Sequence, residues 1–330
     1  MTNKPTVIAV VVPCYRVIDH IGAVIAAIGP EVHRIYCVDD ACPDGSGDHI
    51  ASHCVDPRVA VIRHEHNQGV GGAVMTGYRA AIDDGADVIV KIDGDGQMDP
   101  TLLPVFIAPI LRGDADYTKG NRFWDLRNIQ RMPLVRRIGN LGLSFMAKLS
   151  SGYWDLFDPT NGYTAIHARV AARLPFESIS RRYFFETDML FRLNTLRAVV
   201  VDVPMDARYG DERSHLRVGR ALVEFAWKHL RNVGKRIVYN YFLRDLSIAS
   251  LELLAGVLLL GFAALFGGFH WIEAIATGAP TPLGTVMIAT VSAISGLQFL
   301  LAFVGYDIAS VPRVVLHRAL AAERRRTGGR

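Results

Sequence analysis

From Leu253 to Ile272 this chain runs for 20 residues without Asp, Glu, Lys or Arg, and from Ala274 to Tyr306 for another 33. A helix needs about 20 mostly apolar residues to cross the hydrocarbon of a bilayer, so each run is long enough for one crossing. Gly278, Pro280, Pro282 and Gly284 lie near the start of the second run and supply a turn. The pattern predicts a two-helix transmembrane hairpin over 247–306, with spans at about 248–269 and 283–304. Two buried helices of a soluble core are the weaker alternative, because cores seldom need two such runs in succession.

The charges on either side of the hairpin orient it. Arg208 to Arg244 carries nine Lys or Arg against three acids, Arg313 to Arg330 six Arg against one Glu, and the connecting loop none. By the positive-inside rule both termini are expected in the cytoplasm, in a multi-pass protein of the inner membrane. Met1 to Val12 does not resemble a signal peptide: its apolar run is short, ends at Pro13 and lacks a small-residue cleavage site. The net charge of +4 argues against a nucleic-acid partner recruited by bulk charge. Cys14, Cys37, Cys42 and Cys54 form no CxxC pair and read as reduced thiols.

Ahead of the hairpin, apolar runs alternate with helical patterns. Thr6 to Val12 is followed by Ile18 to Ile28, Arg34 to Val38 by Gly47 to Cys54, and Val59 to Ile62 by Gly71 to Asp83, before the run Ala86 to Ile92. Continuous Val/Ile-rich runs suit strands buried on both faces. Their rhythm predicts an α/β domain with a parallel, doubly wound sheet, which binds ligands beyond the carboxyl ends of its strands.

The polar clusters sit at those ends. Pro13-Cys14-Tyr15 follows the first strand, Asp39-Asp40 opens the stretch after the second, and Asp93-Gly94-Asp95-Gly96-Gln97 follows the fourth. Asp44 and Ser46 are equally readable as helix caps. Asp93 and Asp95, two residues apart with glycines permitting a tight turn, can share a hard divalent cation that also holds a diphosphate.

The segments VVPCYR, VDDACPDGSGD, HNQGVGGAVMTGYRAA, KIDGDGQMDP, KGNRF, DPTNGYTAI and RYGDERSHL, in a stretch from Val10 to about Leu216, resemble family 2 glycosyltransferases of the GT-A (Rossmann-like) fold. Within that family they resemble the branch that includes dolichol-phosphate mannose synthases and polyprenyl-phosphate glycosyltransferases. The resemblance implies a GT-A domain over 1–213, a juxtamembrane segment over 214–246, the hairpin, and a basic, solvated cytoplasmic tail over 307–330. By position it implies that Pro13, Tyr15, Asp39, Asp40, Asn67, Gly71, Asp93 and Arg122 contact a nucleotide-sugar donor with a UDP, GDP or dTDP moiety. Asp95, with Asp93, would hold Mg2+ or Mn2+. Arg16-Val17 departs from the Asn-Glu common in relatives. The glycines that open the third helix suit either anion binding by free backbone amides or close packing.

The same resemblance places the catalytic-side carboxylate at Glu186 or Asp188, with Asp188 favoured. It places the acceptor phosphate against Arg137, Asn140 and Arg208. A phosphate monoester is already ionised near neutral pH and needs no general base, unlike a sugar hydroxyl. The implied reaction is inverting transfer of a single sugar from a nucleotide sugar to a polyprenyl phosphate, undecaprenyl phosphate in a bacterium. Extension of a polysaccharide or lipid-linked oligosaccharide is the alternative, disfavoured by the lack of a QxxRW motif; a silent nucleotide-binding membrane scaffold is a further one. Arg217 to Leu243 predicts an amphipathic interfacial helix, with Val218, Leu222, Phe225, Ala226, Leu230, Val233 and Ile237 on its apolar face. Two spans are too few for a pore within one subunit, and anchoring is compatible with a homo-oligomer.

Overall fold

The computed structural model describes residues 5–124, 134–206 and 218–327, which divide into two compact units: 1–233 with 312–330, and 234–311. The first is built on a seven-stranded sheet in the order β3-β2-β1-β4-β6-β5-β7. Its strands are β1 Ile8–Cys14, β2 Arg34–Asp39, β3 Val59–Arg63, β4 Val88–Lys91, β5 Tyr117–Asn121, β6 Thr164–His167 and β7 Val200–Pro204. β1 to β4 are parallel, as the strand-helix rhythm predicts. Inside the sheet, β1 is buried on both faces, with Val10, Val11 and Val12 fully inaccessible. Helices Ile18–Ala26, Ser46–His53 and Val70–Asp83 make the crossovers.

The sheet is mixed rather than purely parallel, because β6 runs antiparallel to both β4 and β5. β5 ends at Asn121, the chain makes a long excursion, and it re-enters the sheet at Thr164 from the end where β4 finishes. Thr164 pairs with Lys91 on one side and Lys119 on the other. Residues 158–163 are thereby delivered to the carboxyl ends of β4 and β5, beside Asp93.

The C-terminal segment differs from a solvated tail. It forms the helix Leu316–Thr327 and belongs to the first unit. Fully buried Asp116 accepts the backbone N–H groups of Leu316 and His317, the His317 ring Nδ1–H and the Val199 N–H, each at 2.8 Å. The His317 ring stacks on His167 at 4.2 Å.

The helix Val218–Val238 carries the chain out of the first unit, and it packs differently from the hydropathic pattern. Phe225 meets Phe184 edge-on at 5.7 Å, His229 Nδ1 is 2.8 Å from Ser150 Oγ, and Asn232 Nδ2 donates to Asp188 at 2.9 Å. Val223, Trp227 and Leu230 are exposed. The buried side thus carries polar His229 and Asn232 beside half-buried Phe225, because a satisfied buried hydrogen bond removes most of the cost of burial.

The second unit is a pair of apolar helices, Ile248–Thr277 and Leu283–Ala309, each long and apolar enough to cross a membrane and mostly exposed. They outrun the uncharged segments that mark them. The first continues through Glu273, paired with His270 at 2.9 Å, to Gly278, whose φ of 66° ends it. The two approach closely where Gly256 faces Gly296, each leaving no room for a Cβ against the opposite helix. At the base, buried Arg236 is held by Asp307 at 2.5 and 2.9 Å, and Tyr241 donates to the same carboxylate.

Candidate active site

A cavity of about 800 Å³ opens at the carboxyl ends of β1, β2 and β4. Pro13, Tyr15, Arg16, Asp40, Asn67, Gly69, Lys91, Asp93, Asp95, Arg182, Tyr183 and Glu186 line it. Of the residues expected from sequence, it gathers Pro13, Tyr15, Asp40, Asn67, Asp93, Asp95 and Glu186; Asp39, Gly71, Arg122, Arg137, Asn140 and Asp188 lie outside the lining, and Arg208 lies outside the described residues.

The first wall is the turn after β1. Arg16 takes a left-handed φ of 59°, its N–H donates to Cys42 Sγ at 3.1 Å, and its guanidinium lies over the Tyr15 ring at 5.6 Å. Ser46 helps, accepting from Val17 N at 3.3 Å. This leaves the Tyr15 ring 43% exposed, a flat surface on which a planar ligand could stack.

The two adjacent aspartates have separate tasks. Asp39 accepts from Cys42 N and Gly47 N, at 2.8 and 3.0 Å, and fastens the loop after β2. Asp40 reaches the cavity, yet its carboxylate already takes His64 Nδ1 at 2.8 Å and the N–H groups of Gln68 and Gly69 at 2.7 Å. Its backbone carbonyl accepts from the Asn67 side chain at 3.1 Å. Asp40 therefore shapes the loop that carries Asn67 and keeps little acceptor capacity of its own.

The start of the third helix is not an open anion site. Gly71 N and Gly72 N point at the Arg181 carbonyl, at 2.9 and 3.3 Å. A Cβ on Gly71 would lie 2.5 Å from the Ser180 carbonyl oxygen and 2.8 Å from the Phe185 ring. Close packing against 180–185 is what the glycine serves.

The third wall holds the charges. Lys91, at the end of β4, is 1% exposed, with Nζ 2.7 Å from Asp93 Oδ1 and 3.7 Å from Glu186 Oε1. Burial works against its ammonium, but Asp93 and Glu186 outweigh it and hold the pKa above the ordinary value. Burial and then Asp93 push Glu186 upward, against Lys91. Asp95 Oδ1 accepts from Gln97 N at 3.0 Å in a turn where Gly96 has φ 76°. Lys91 is not among the residues expected from sequence, and Arg16 stands out there only as a departure from the family's Asn-Glu, although a lysine at the end of the buried run Val88–Lys91 is itself a signal.

Of the two helix-borne carboxylates, Glu186 and not Asp188 lines the cavity. Asp188 is 2% exposed, accepts from Ser180 N at 2.8 Å and from Asn232, and holds the helix Phe185–Thr195 in place. Glu186, two positions earlier and about 200° around the helix, faces the cavity.

Arg122 is engaged inward. Its guanidinium grips fully buried Asp158 at 2.7 and 3.1 Å. Beside it, buried Lys119 donates to the carbonyls of Asp158 and Asn161, and burial lowers its pKa to about 8. Together they anchor the loop 158–163, whose Gly162 lies over Lys91 and Asp93. Arg137 is exposed and Asn140 half-buried on the helix Leu134–Ser151.

Asp93 and Asp95 present hard oxygen donors, and among the described residues no group of three or more His, Cys, Asp or Glu could hold an ion alone. That fits Mg2+ or Mn2+ in its usual form with phosphorylated substrates, where one or two carboxylates bind and the diphosphate and waters complete the shell.

Residues 9–174, half of the chain, match the profile described as Glycosyl transferase family 2. The chain belongs to this glycosyltransferase family. Family 2 relatives include the UDP-N-acetylglucosamine–dolichyl-phosphate N-acetylglucosaminyltransferase of Methanococcus voltae, 34% identical over 46% of this chain and 60% of the relative. The undecaprenyl-phosphate mannosyltransferase of Micrococcus luteus is 30% identical over 59% of this chain and 81% of the relative. The glucosyl-3-phosphoglycerate synthase of Mycobacterium tuberculosis, solved with Mn2+, UDP and phosphoglyceric acid, superposes with a TM-score of 0.51 at 19% identity, covering 70% of this chain and 78% of that one. The family 2 chain thus has the GT-A fold, with two membrane-length helices after it.

Proposed function

We propose that this chain is an inverting, metal-dependent glycosyltransferase that moves one sugar from a nucleotide sugar to a polyprenyl phosphate, undecaprenyl phosphate in a bacterium. The reaction would run at the cytoplasmic face of the inner membrane. The observation that carries the reading is the convergence of Asp93, Asp95 and Glu186 with Pro13 and Tyr15 on one cavity, in a chain that also has two membrane-length helices. The relatives named for transfer to dolichyl and undecaprenyl phosphate support the acceptor class.

In this reading a phosphate oxygen of the acceptor forms a bond to the anomeric carbon as the bond from that carbon to the donor diphosphate breaks. Tyr15 offers its ring to the nucleobase, and Asn67 and Asp40 shape the base-side wall. Asp95 and Asp93 would hold the ion, whose charge would stabilise the departing nucleoside diphosphate. Lys91 supplies a second, fixed positive charge beside the same carboxylates. The acceptor brings no proton that must be removed, so Glu186 orients the sugar rather than acting as base. Arg137, Asn140 and Arg208 would receive the acceptor phosphate, arginines being suited to bidentate phosphate contacts. Exposed Val223, Trp227 and Leu230 suit headgroup depth.

The test is mass spectrometry of lipids after incubating the purified full chain with undecaprenyl phosphate, Mg2+ or Mn2+, and a panel of UDP, GDP and dTDP sugars. A new monoglycosyl-phosphoprenol, missing with Asp95→Asn and reduced with Arg208→Ala, is expected. Nucleotide release without a lipid product would overturn the acceptor assignment.

A further inference from the structure

Asp93 is already matched: Lys91 Nζ lies 2.7 Å from its Oδ1, at the buried end of β4. The pair is also covered on one side, while the Asp93 side chain stays 26% exposed. A Cβ on Gly162 would fall on Lys91 Nζ, 2.8 Å from Asp93 Oδ2 and 3.2 Å from Met98 Cε, so the loop 158–163 closes over it with no space to spare. That loop is itself fastened from below by Lys119 and Arg122. The ammonium has a second carboxylate, Glu186, 3.7 Å away.

A fixed monovalent cation in contact with one arm of a metal site has two opposite effects. It repels a bare divalent ion placed on the same carboxylate, in a partly desolvated site where screening is weak. It attracts the complex of that ion with a nucleoside diphosphate, which carries net negative charge.

We propose that Lys91 is a positioning residue that holds Asp93 beneath Gly162 and withholds it from a free divalent ion, so that the ion is retained only together with the nucleoside diphosphate of the donor. The proposal rests on the reading of Asp93 and Asp95 as the metal and diphosphate site, and it agrees with the lack, among the described residues, of any cluster able to hold an ion alone. It makes Lys91 the source of the order in which the ligands are held.

The experiment reads Mn2+ binding by electron paramagnetic resonance on the full chain in detergent, with and without UDP, GDP or dTDP. In the wild type, Mn2+ is expected to bind at least tenfold more tightly when one of these nucleotides is present. Lys91→Met removes the charge and should tighten binding of Mn2+ alone at least tenfold while shrinking the nucleotide effect. Lys91→Gln, similar in length and still able to donate to Asp93, should do the same and serves if the Met variant does not fold. Lys91→Arg keeps the charge and should restore the wild-type dependence, which a merely space-filling role would not require. Wild-type coupling to nucleotide with unchanged Mn2+ affinity in Lys91→Met and Lys91→Gln would overturn the role of Lys91 alone. Equal Mn2+ binding by the wild type with and without nucleotide would overturn it as well. Failure of the wild type to bind Mn2+ with any of the nucleotides would overturn the underlying metal reading, and the proposal with it.

Discussion

Replacing Asp116 by Asn should release the C-terminal helix from the sheet. The wild-type carboxylate takes four donors: Val199 N and Leu316 N on one oxygen, and His317 N and His317 Nδ1 on the other, all at 2.8 Å. A carboxamide has one acceptor oxygen, so whichever way it turns, two donors lose their partner and face its NH2 group. Val199 belongs to the sheet, so at least one of the two lost bonds is a tie to Leu316 or His317; at about 1.5–3 kcal/mol for a hydrogen bond to a charged group, at least about 1.5 kcal/mol of docking is lost. At about 1.4 kcal/mol per factor of ten, opening of the 316–327 helix becomes at least about tenfold more frequent. Limited trypsin digestion of the full chain in detergent, scored by mass spectrometry for cleavage after Arg318, reads this directly. Arg318 is tied to the Arg112 carbonyl and helical when docked, and cleavage follows the open population when reclosing is fast. A cleavage rate within threefold of the wild type would refute the argument that Asp116 holds the tail.

Glu186→Gln tests the acceptor class: a general base contributes about 10²–10⁴ in rate, so with a phosphate acceptor the loss in kcat should stay under about tenfold, and a hundredfold loss would favour a hydroxyl acceptor. Gly162→Ala should strain the site over Lys91 and Asp93, costing about 1–3 kcal/mol as overpacking, read as a lowered melting temperature together with weaker nucleotide-dependent Mn2+ binding; an unchanged Tm would count against the close fit. Burial pushes the pKa of His229 down to about 4, and burial with His317 and Arg169 does the same for His167. Because the unfolded chain binds these protons at about 6.5, it holds more of them than the folded chain between pH 4 and 6.5, and stability should rise with pH across that window. His229→Gln should flatten part of the rise in a series of melting curves, and an unaltered slope would place the effect elsewhere.

The alternation of buried runs with helical patterns was enough to predict β1 to β4, because a strand covered on both faces is written as unbroken Val and Ile. The two uncharged runs likewise marked the apolar helices, since length and hydropathy are local properties. Legible too were the residues at strand ends, Pro13, Tyr15, Asp93 and Asp95, because in a parallel sheet the strand end and the ligand crevice coincide. Other decisions needed the folded chain. β6 runs antiparallel because a distant segment re-enters from the far end, and nothing within Thr164–His167 records that direction. Sequence leaves both Glu186 and Asp188 as candidates and favours Asp188. Which faces the cavity depends on the rotation of one helix, set by contacts from Ser180 and Asn232. The Lys91 ammonium, the inward turn of Arg122 and the docking of the tail on Asp116 are pairings between residues far apart in the chain. Their energies depend on burial and on the position of the partner, and both exist only after the tertiary structure has formed.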